Sequence, residues 1–347
     1  MKLQILCRSA GSAQPSIITE AALIEALSNN DSTLWIDIVF GTEDVAATTT
    51  FLNRYFTFHP LALEDALLET HLARVDDWQK YLYIAFHVMM YRNHAVHQQE
   101  LDIFLGANYL VTIHSEEIET LQKLWDQLQK NSDQRQMQTP DRLLYHLFDK
   151  LTNTSMQTAD CLDDALDEIE QQIFSRPQRG QLGELFRLRR VVLQMRRMFG
   201  NQREAMNRLA RDIFGVIHPE NRVYFRDIYD HLVRMHELSD GLRDMASSAL
   251  ESHISVTSYR MNEVMKTLTV VTVLFMPLTF LTGYFGMNFF GDQFNIDNPW
   301  SHYFWFIVCM LLMVITPIAM LYWMKRRGWL NSSLQPERQD LHSDHKT

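Results

Sequence analysis

The sequence predicts an α/β domain at the N-terminus, long helices after it and two transmembrane helices at the C-terminus. Three observations support this fold class. Short runs of β-type residues alternate with helical patterns in the first part of the chain. Farther along, apolar residues recur at helical spacing over a very long stretch without proline. Near the C-terminus, two long segments carry no Asp, Glu, Lys or Arg.

The composition places most of the chain in water. The chain has 347 residues and a net charge of -10, and its mean hydropathy of -0.19 excludes a protein made mostly of membrane spans. Its length suggests two or three structural units. The cysteines Cys7, Cys161 and Cys309 are far apart and odd in number, so they suggest neither a disulfide framework nor a paired-cysteine metal site. This cysteine usage fits a reducing cytoplasm.

Residues 1–135 are predicted to form the α/β domain. The first apolar run has only about five residues, too few for a signal peptide, and is interpreted as a strand. A helical pattern follows in IITEAALIEALSN. Because strands and helices alternate along this part of the chain, we expect helices packed on a sheet. The predicted strands are LQILC, TLWIDIVF, YLYIAFHVMMY, ELDIFLG and NYLVTIH.

Residues 136–218 predict two antiparallel helices. The first follows Pro140 and continues to about Ser175, where Pro177 and Gly180 interrupt the pattern. The second continues to about residue 214. Beyond it, a glycine and then Pro219 mark the end of one helix and the beginning of the next.

Residues 219–288 predict one long stalk helix that continues into the first transmembrane helix. No proline interrupts the chain between Pro219 and Pro277, and the helix would be on the order of 95 Å long, so it needs neighbours. Residues 246–258 are rich in small and hydroxyl side chains, which fits either close helix packing or a wetted pore wall. The apolar stripe consists of Ile228, Leu232, Met235, Leu238, Leu242 and Met245.

Two uncharged segments are long enough to cross a bilayer. One has 25 residues between Lys266 and Asp292, and the other has 27 residues between Asp297 and Lys325. As helices they would reach roughly 35 to 40 Å, against about 30 Å for the hydrocarbon core. The predicted organisation is a first span at about 267–288, an outer loop at 289–299, a second span at 300–324 and a basic tail at 325–347.

The basic residues predict the orientation in the membrane. Arg260 and Lys266 precede the first span and residues 325–327 close the second, whereas the short connecting loop has no Lys or Arg. Positive residues are retained on the cytoplasmic side. We therefore expect an integral protein of a bacterial inner membrane, embedded in the lipid bilayer, with both termini and the α/β domain in the cytoplasm.

The first span ends at Asn288, an amide among aromatic residues. A lone Asn at a helix end is most often a C-cap. Two spans cannot enclose a pore, however, and several copies around an axis would turn one Asn into a ring. Such a ring could hydrogen-bond the hydration water of Mg²⁺, which dehydrates reluctantly. From the residues alone, both interpretations stay open.

Residues 259–288, YRMNEVMKTLTVVTVLFMPLTFLTGYFGMN, resemble the first-span signature of the CorA family of magnesium and cobalt transport proteins, which ends in Gly-Met-Asn. The resemblance continues in HPLALED at 59–65, YFRDIYDH at 224–231 and KRRGWL at 325–330, and so covers nearly the whole chain. It implies a funnel-shaped homopentameric channel with a cytoplasmic α/β domain. The implied function is influx of Mg²⁺ down its electrochemical gradient, with passage of Co²⁺ and Ni²⁺ as well.

The resemblance also implies roles for individual residues. Asp65 and Asp227, from adjacent subunits, would share a regulatory intracellular Mg²⁺, with Glu64 helping. Mg²⁺ would thus be both the transported ion and the regulator. The selectivity filter would consist of Gly286, Met287 and Asn288. The pore lining and gate would consist of Asn262, Met265, Leu268, Met276, Thr279 and Gly283; each apolar one among these is also compatible with ordinary helix packing.

One segment departs from the family. Members commonly carry Met-Pro-Glu-Leu in the outer loop, and this chain reads FFGDQFNIDNP there. Asp292 and Asp297 could supply similar charge. Neither residue aligns securely with the family's acid, so the outer electrostatic site stays open.

Two other functions remain as alternatives. The zinc-transporting branch of the superfamily usually has Val in place of Met287, so this residue favours magnesium. The chain could also be a membrane-anchored coiled-coil scaffold or sensor without a pore. The sequence contains no nucleotide-binding loop or paired catalytic residues, so we do not expect an enzyme.

Several charged segments are predicted to have structural roles. The arginines of residues 187–197 alternate with apolar residues at helical spacing in an acidic chain, so they favour acidic partner helices over nucleic acid. The acidic run 160–170 is typical of a solvated helix face, and a second cation there is the alternative. The histidines His87, His94 and His97 suggest no metal site.

Overall fold

The structure is a computed structural model, which describes residues 1–9, 14–68, 72–92, 95–130, 136–175, 180–287 and 299–329. The chain divides into two compact units, Met1–Ile254 and Ser255–Thr347. The first contains a sheet and most of the helices. The second contains two apolar helical segments. The predicted fold class, an α/β domain with a long helix and two C-terminal apolar helices, is confirmed.

The first unit is built on a seven-stranded sheet in the order β2-β1-β3-β7-β6-β5-β4. β3 and β7 pair in parallel, and the other neighbours pair antiparallel. All five predicted strands are present, and β2 and β4 are short additional strands at the two edges. The strands are β1 Lys2–Arg8, β2 Ser16–Ile17, β3 Thr33–Val39, β4 Arg74–Asp77, β5 Leu82–Arg92, β6 Ala95–Leu105 and β7 Tyr109–His114.

Four short helices accompany the sheet: α1 Leu23–Ser28, α2 Val45–Tyr55, α3 Pro60–Leu67 and α4 Glu119–Lys130. Because side chains alternate along a strand, each face of the sheet has its own apolar set. One face forms a core in which Tyr83 and Phe104 pack with residues of α1, α2 and α3. On the other face, the rings of Phe86 and Phe148 lie 4.6 Å apart. Both faces of the sheet are therefore buried. The packing on the first face holds α3 in a fixed position.

Three long helices follow the sheet: α5 Pro140–Ser175, α6 Gln181–Arg211 and α7 Arg222–Gly286. A short 3-10 turn, Pro219–Asn221, precedes α7. The predicted stripe of α7 is buried at Ile228, Leu232 and Met235, and Phe225 is also buried. Arg196 of α6 forms an ion pair with Asp240 of α7, so at least this arginine has the acidic partner helix that the sequence favours.

The second unit contains the end of α7 and α8 Pro299–Arg326. Both segments are long and apolar enough to cross a membrane. Gly328 follows the end of α8, and its φ of 77° is a left-handed conformation that glycine adopts without a steric cost. The N–H of Gly328 donates to the carbonyl of Lys325, and that of Trp329 donates to the carbonyl of Met324. These two bonds satisfy the last carbonyls of the helix in a Schellman motif.

Candidate ion pathway and regulatory site

The predicted pore-facing residues lie on one side of α7. At about 100° per residue, their positions fall within about a third of the helix circumference. All of them are exposed on the single chain, with Leu268 59% and Met276 67% exposed. An apolar helix face left open in one chain requires lipid or another protein surface against it. We call this set the α7 stripe: Asn262, Met265, Leu268, Met276, Thr279, Gly283 and Gly286.

The threonines of the apolar part of α7 present oxygen acceptors. Thr279 Oγ1 donates its hydrogen to the carbonyl of Phe275 at 2.9 Å, and Thr272 Oγ1 donates to Leu268 in the same way at 2.9 Å. Since each hydroxyl hydrogen is used within the helix, the oxygen lone pairs remain for an outside donor. The water around a hydrated cation is such a donor. Thr279 on the α7 stripe is therefore chemically suited to contact a hydrated ion.

The end of α7 includes two of the three predicted filter residues. Gly286 is the last helical residue, and Met287 follows it and is 56% exposed. Asn288, the residue on which the filter prediction depends, lies outside the described residues, as do the outer-loop acids Asp292 and Asp297.

α3 positions the predicted regulatory acids Glu64 and Asp65. His59 caps this helix, since its Nδ1 accepts a hydrogen bond from the N–H of Leu61 at 3.2 Å, and Pro60 occupies the first turn. Buried Ala62 and Leu63 fix the helix against the sheet. Glu64 is exposed and Asp65 is partly buried.

Asp65 forms an ion pair with Arg74 of strand β4. Arg74 also approaches Asp76, with 3.2 Å between Nε and Oδ2, and its guanidinium carbon lies 5.4 Å from the centre of the Tyr83 ring. The Tyr83 hydroxyl donates to Oδ1 of Asp102 at 2.6 Å. Burial, with the neighbouring charge of Asp102, raises the pKa of Tyr83, so the phenol keeps its proton.

Asp227 lies near the beginning of α7 and is exposed. Its Oδ1 is 3.9 Å from Nε2 of His231, one turn farther along. Within the residues that the structure describes, no group of three His, Cys, Asp or Glu side chains is placed to hold a metal ion. The single chain therefore does not bring Asp65, Glu64 and Asp227 together as a metal site, and their shared site stays a prediction about adjacent copies.

The other charged segments behave as structural surfaces where they are described. Asp160, Asp164 and Asp167 are exposed on α5. Burial and the neighbouring acids raise the pKa of Asp163, as expected for like charges on one helix. His87 is buried with 3.5 Å between its Nε2 and Oε2 of Glu100, His97 is exposed, and His94 lies outside the described residues.

Sequence reasoning missed two groups of interacting polar side chains in the sheet. Arg74, Tyr83 and Asp102 connect β4, β5 and β6 beside Asp65, and only the alternation of polar residues along β6 could have indicated them. On the other side of the sheet centre, His114 donates from Nε2 to Asp37 at 3.1 Å. Burial lowers the pKa of His114, but the hydrogen bond and the charge of Asp37 outweigh it and raise this pKa.

A cavity of about 570 Å³ lies between α4, α5 and the end of β5. Lys123, Lys150 and Cys161 are among the residues that line it. It contains none of the predicted pore or regulatory residues, so the candidate ion pathway does not depend on it.

Comparison with known proteins identifies the family of the chain. Residues 30–326 match the family described as "CorA-like Mg2+ transporter protein". The "Putative metal ion transporter YfjQ" of Bacillus subtilis is 31% identical over 300 residues, which cover 86% of this chain and 90% of that protein. The "Cobalt/magnesium transport protein CorA" of Thermotoga maritima is 28% identical over 282 residues, covering 80% and 79%. The "Zinc transport protein ZntB" of Yersinia pestis is 28% identical over 189 residues, covering 54% and 55%.

A solved structure shares the fold. The CorA magnesium transporter from Methanocaldococcus jannaschii superposes with a TM-score of 0.77 at 23% identity, covering 95% of this chain and 100% of that one. The family match extends from β3 to the end of α8 and includes both α3 and the α7 stripe. The chain therefore belongs to the CorA-like Mg²⁺ transporter family, within a superfamily of divalent metal transporters.

Proposed function

We propose that five copies of this chain form a channel that admits hydrated Mg²⁺ through an axial pore lined by the α7 stripe. Co²⁺ and Ni²⁺ pass through the same pore. The channel is an inner-membrane protein with both termini in the cytoplasm, and the electrochemical gradient drives influx. The observation that carries this proposal is the exposed α7 stripe, which combines apolar side chains with the free acceptor oxygen of Thr279.

The stripe fits permeation of a hydrated ion on physical grounds. Met265, Leu268 and Met276 narrow a pore and can exclude water from it, whereas Asn262 and Thr279 offer oxygen atoms. Neutral oxygens hold hydrated Mg²⁺ more weakly than carboxylates do, so the ion can leave again. The stripe and Asn288 after it would thus combine a gate with a filter.

Zinc transport is the second candidate function, because relatives described as zinc transport proteins also match the chain. Met287, where the zinc branch usually has Val, favours magnesium. A scaffold without a pore is disfavoured, since the relatives named above are described as transporters.

Internal Mg²⁺ regulates the channel in this proposal. Asp65 and Asp227 of adjacent copies bind one Mg²⁺, with Glu64 nearby. Two carboxylates brought together repel each other, and a divalent cation between them reverses the sign of that interaction. Bound Mg²⁺ then stabilises the closed ring, and its loss permits opening.

The first test changes the mouth of the pore. Asn288→Ala removes the amide oxygen, and we expect it to abolish Mg²⁺ uptake into proteoliposomes while the assembly keeps its mass. Thr282→Ala is the matched control, because Thr282 is a polar residue close by that does not belong to the α7 stripe. If Asn288→Ala retains uptake, Asn288 serves only as a helix cap and not as a filter residue.

The same proteoliposomes decide which ion is transported. Uptake of Mg²⁺, Co²⁺, Ni²⁺ and Zn²⁺ is measured one ion at a time under the same membrane potential. Mg²⁺ uptake that Zn²⁺ does not match supports the proposal, and Zn²⁺ uptake alone supports the second candidate. If no divalent ion is taken up, the scaffold without a pore is the remaining candidate function.

A further inference from the structure

The carboxylate of Asp65 already has a cation beside it in the single chain. Arg74 reaches it from strand β4, and both side chains are 35% exposed. Because both side chains are partly exposed, this ion pair is weak enough for a competing cation to replace it.

Arg74 has a second carboxylate within reach. Asp76 lies two residues along the same strand, with its Oδ2 3.2 Å from Nε of Arg74. If Asp65 bound another cation instead of Arg74, Asp76 would still neutralise the guanidinium of Arg74. Release of Asp65 therefore leaves neither Arg74 nor Asp65 as an isolated charge.

The surroundings hold Arg74 in place when it changes partner. Its guanidinium lies over the ring of Tyr83, whose hydroxyl is fixed by the buried carboxyl of Asp102. The favourable cation–π contact does not involve Asp65. Arg74 can thus exchange Asp65 for Asp76 with little movement of its backbone, which pairs with Ala85 in the sheet.

We propose that Arg74 competes with the regulatory divalent cation for Asp65, so that this competition sets the internal Mg²⁺ concentration at which transport stops. The inference rests on the proposed function, since it takes Asp65 as a ligand of that cation. In the open state Arg74 occupies Asp65. In the closed state the divalent ion takes Asp65, and Arg74 pairs with Asp76 alone.

Two substitutions should move the inhibition in opposite directions. Arg74→Gln removes both the competitor and its repulsion of the incoming ion, so less Mg²⁺ should suffice for inhibition. Asp76→Asn removes the alternative partner, so Arg74 should hold Asp65 more firmly and more Mg²⁺ should be needed. A partly exposed ion pair is weak, and we expect shifts on the order of fivefold each way.

The experiment uses the full chain in proteoliposomes and measures uptake against Mg²⁺ on the side of the α/β domain. Arg54→Gln is the control, since Arg54 is a 69% exposed arginine that lies 4.0 Å from Glu20. Loss of stability would not shift the two variants in opposite directions. An unchanged or raised half-inhibiting concentration for Arg74→Gln would overturn the inference. If that variant does not assemble, Asp76→Asn decides alone, and no increase would overturn it.

Asp65→Asn separates this inference from the proposed function. If Asp65→Asn keeps the inhibition of the unchanged chain, Asp65 is not a ligand, and both the regulatory site and the competition are wrong. If Asp65→Asn abolishes inhibition while Arg74→Gln has no effect, only the competition is wrong.

Discussion

A single buried carboxylate, Asp141, connects the beginnings of α5 and α7. Its Oδ2 accepts from the backbone N–H of His218 at 2.8 Å and from Asn221 Nδ2 at 3.0 Å. Its Oδ1 accepts from the N–H of Arg142 at 3.0 Å and from the hydroxyl of Thr139. Burial raises the pKa of Asp141, but the hydrogen bonds from Thr139, Asn221 and His218 outweigh it and lower this pKa.

Asp141→Asn should destabilise the first unit. The amide NH₂ would face hydrogen-bond donors where the carboxylate accepts, at a cost of about 2 kcal/mol. For a unit of this size, we expect the thermal unfolding midpoint to decrease by about 4 to 8 °C at neutral pH. Asp126→Asn is the control, because Asp126 is exposed on α4 and accepts one side-chain hydrogen bond, from Gln122.

The effect of Asp141→Asn should depend on pH. The pKa of Asp141 is lower in the folded protein than in the unfolded chain, where it is about 3.9. Its stabilisation is therefore fully present above the unfolded value and is lost as the pH decreases through the folded value. The difference in unfolding midpoint between the two proteins should be largest above about pH 5 and shrink in stronger acid. A difference that stays constant with pH would contradict this role for the charge.

At the scale of the element, α7 has two environments along one continuous helix. In the first unit its apolar residues, such as Leu232 and Met235, are buried. In the second unit many apolar residues of α7 are exposed on the single chain, as at Leu268 and Phe275. The helical spacing of apolar residues thus supports packing within the chain in the first unit. In the second unit it provides apolar surface for contact with lipid or other copies.

The exposed part of α7 leads to a prediction about gating. Narrow apolar rings close a pore by excluding water, so Leu268→Asn should raise Mg²⁺ uptake at high internal Mg²⁺, where the unchanged channel is shut. Leu274→Asn introduces the same side chain on the opposite side of the helix from the α7 stripe and should not have this effect. Equal uptake by both variants, at equal expression, would count against a hydrophobic gate at Leu268.

At the scale of the whole molecule, two apolar helices are too few to enclose an ion pathway. In the proposed channel, a ring of copies would supply the missing walls and would turn each residue of the α7 stripe into a layer of identical side chains. The regulatory prediction for Asp65 and Asp227 requires the same arrangement, because the single chain does not assemble a metal site from them.

We therefore predict five copies in the assembly. Native mass spectrometry of the detergent-solubilised protein should give five times the 40.8 kDa of one chain. Asn288→Ala should give an assembly of the same subunit number, because the change affects the pore mouth and does not alter the packing between helices. A monomer or dimer as the main species would remove the axial pore and, with it, the proposed role of the α7 stripe.

Local sequence patterns were sufficient to predict the long helix, the two apolar helices and the five main strands. These features depend on local properties: the spacing of apolar residues along α7, the absence of charge between Lys266 and Asp292, and the β-type runs. The resemblance around residues 259–288 then indicated the family, which the comparison confirmed. Asn288 stays a prediction because its proposed role belongs to a ring of several chains.

The contacts between distant residues depend on how the segments pack in three dimensions. Arg74 pairs with Asp65 because an edge strand that the sequence analysis missed lies beside α3. The parallel pairing of β3 with β7 brings Asp37 to His114, 77 residues away. Periodicity within one segment carries no information about such partners, since strand order and the burial of charged groups are set by how the segments pack.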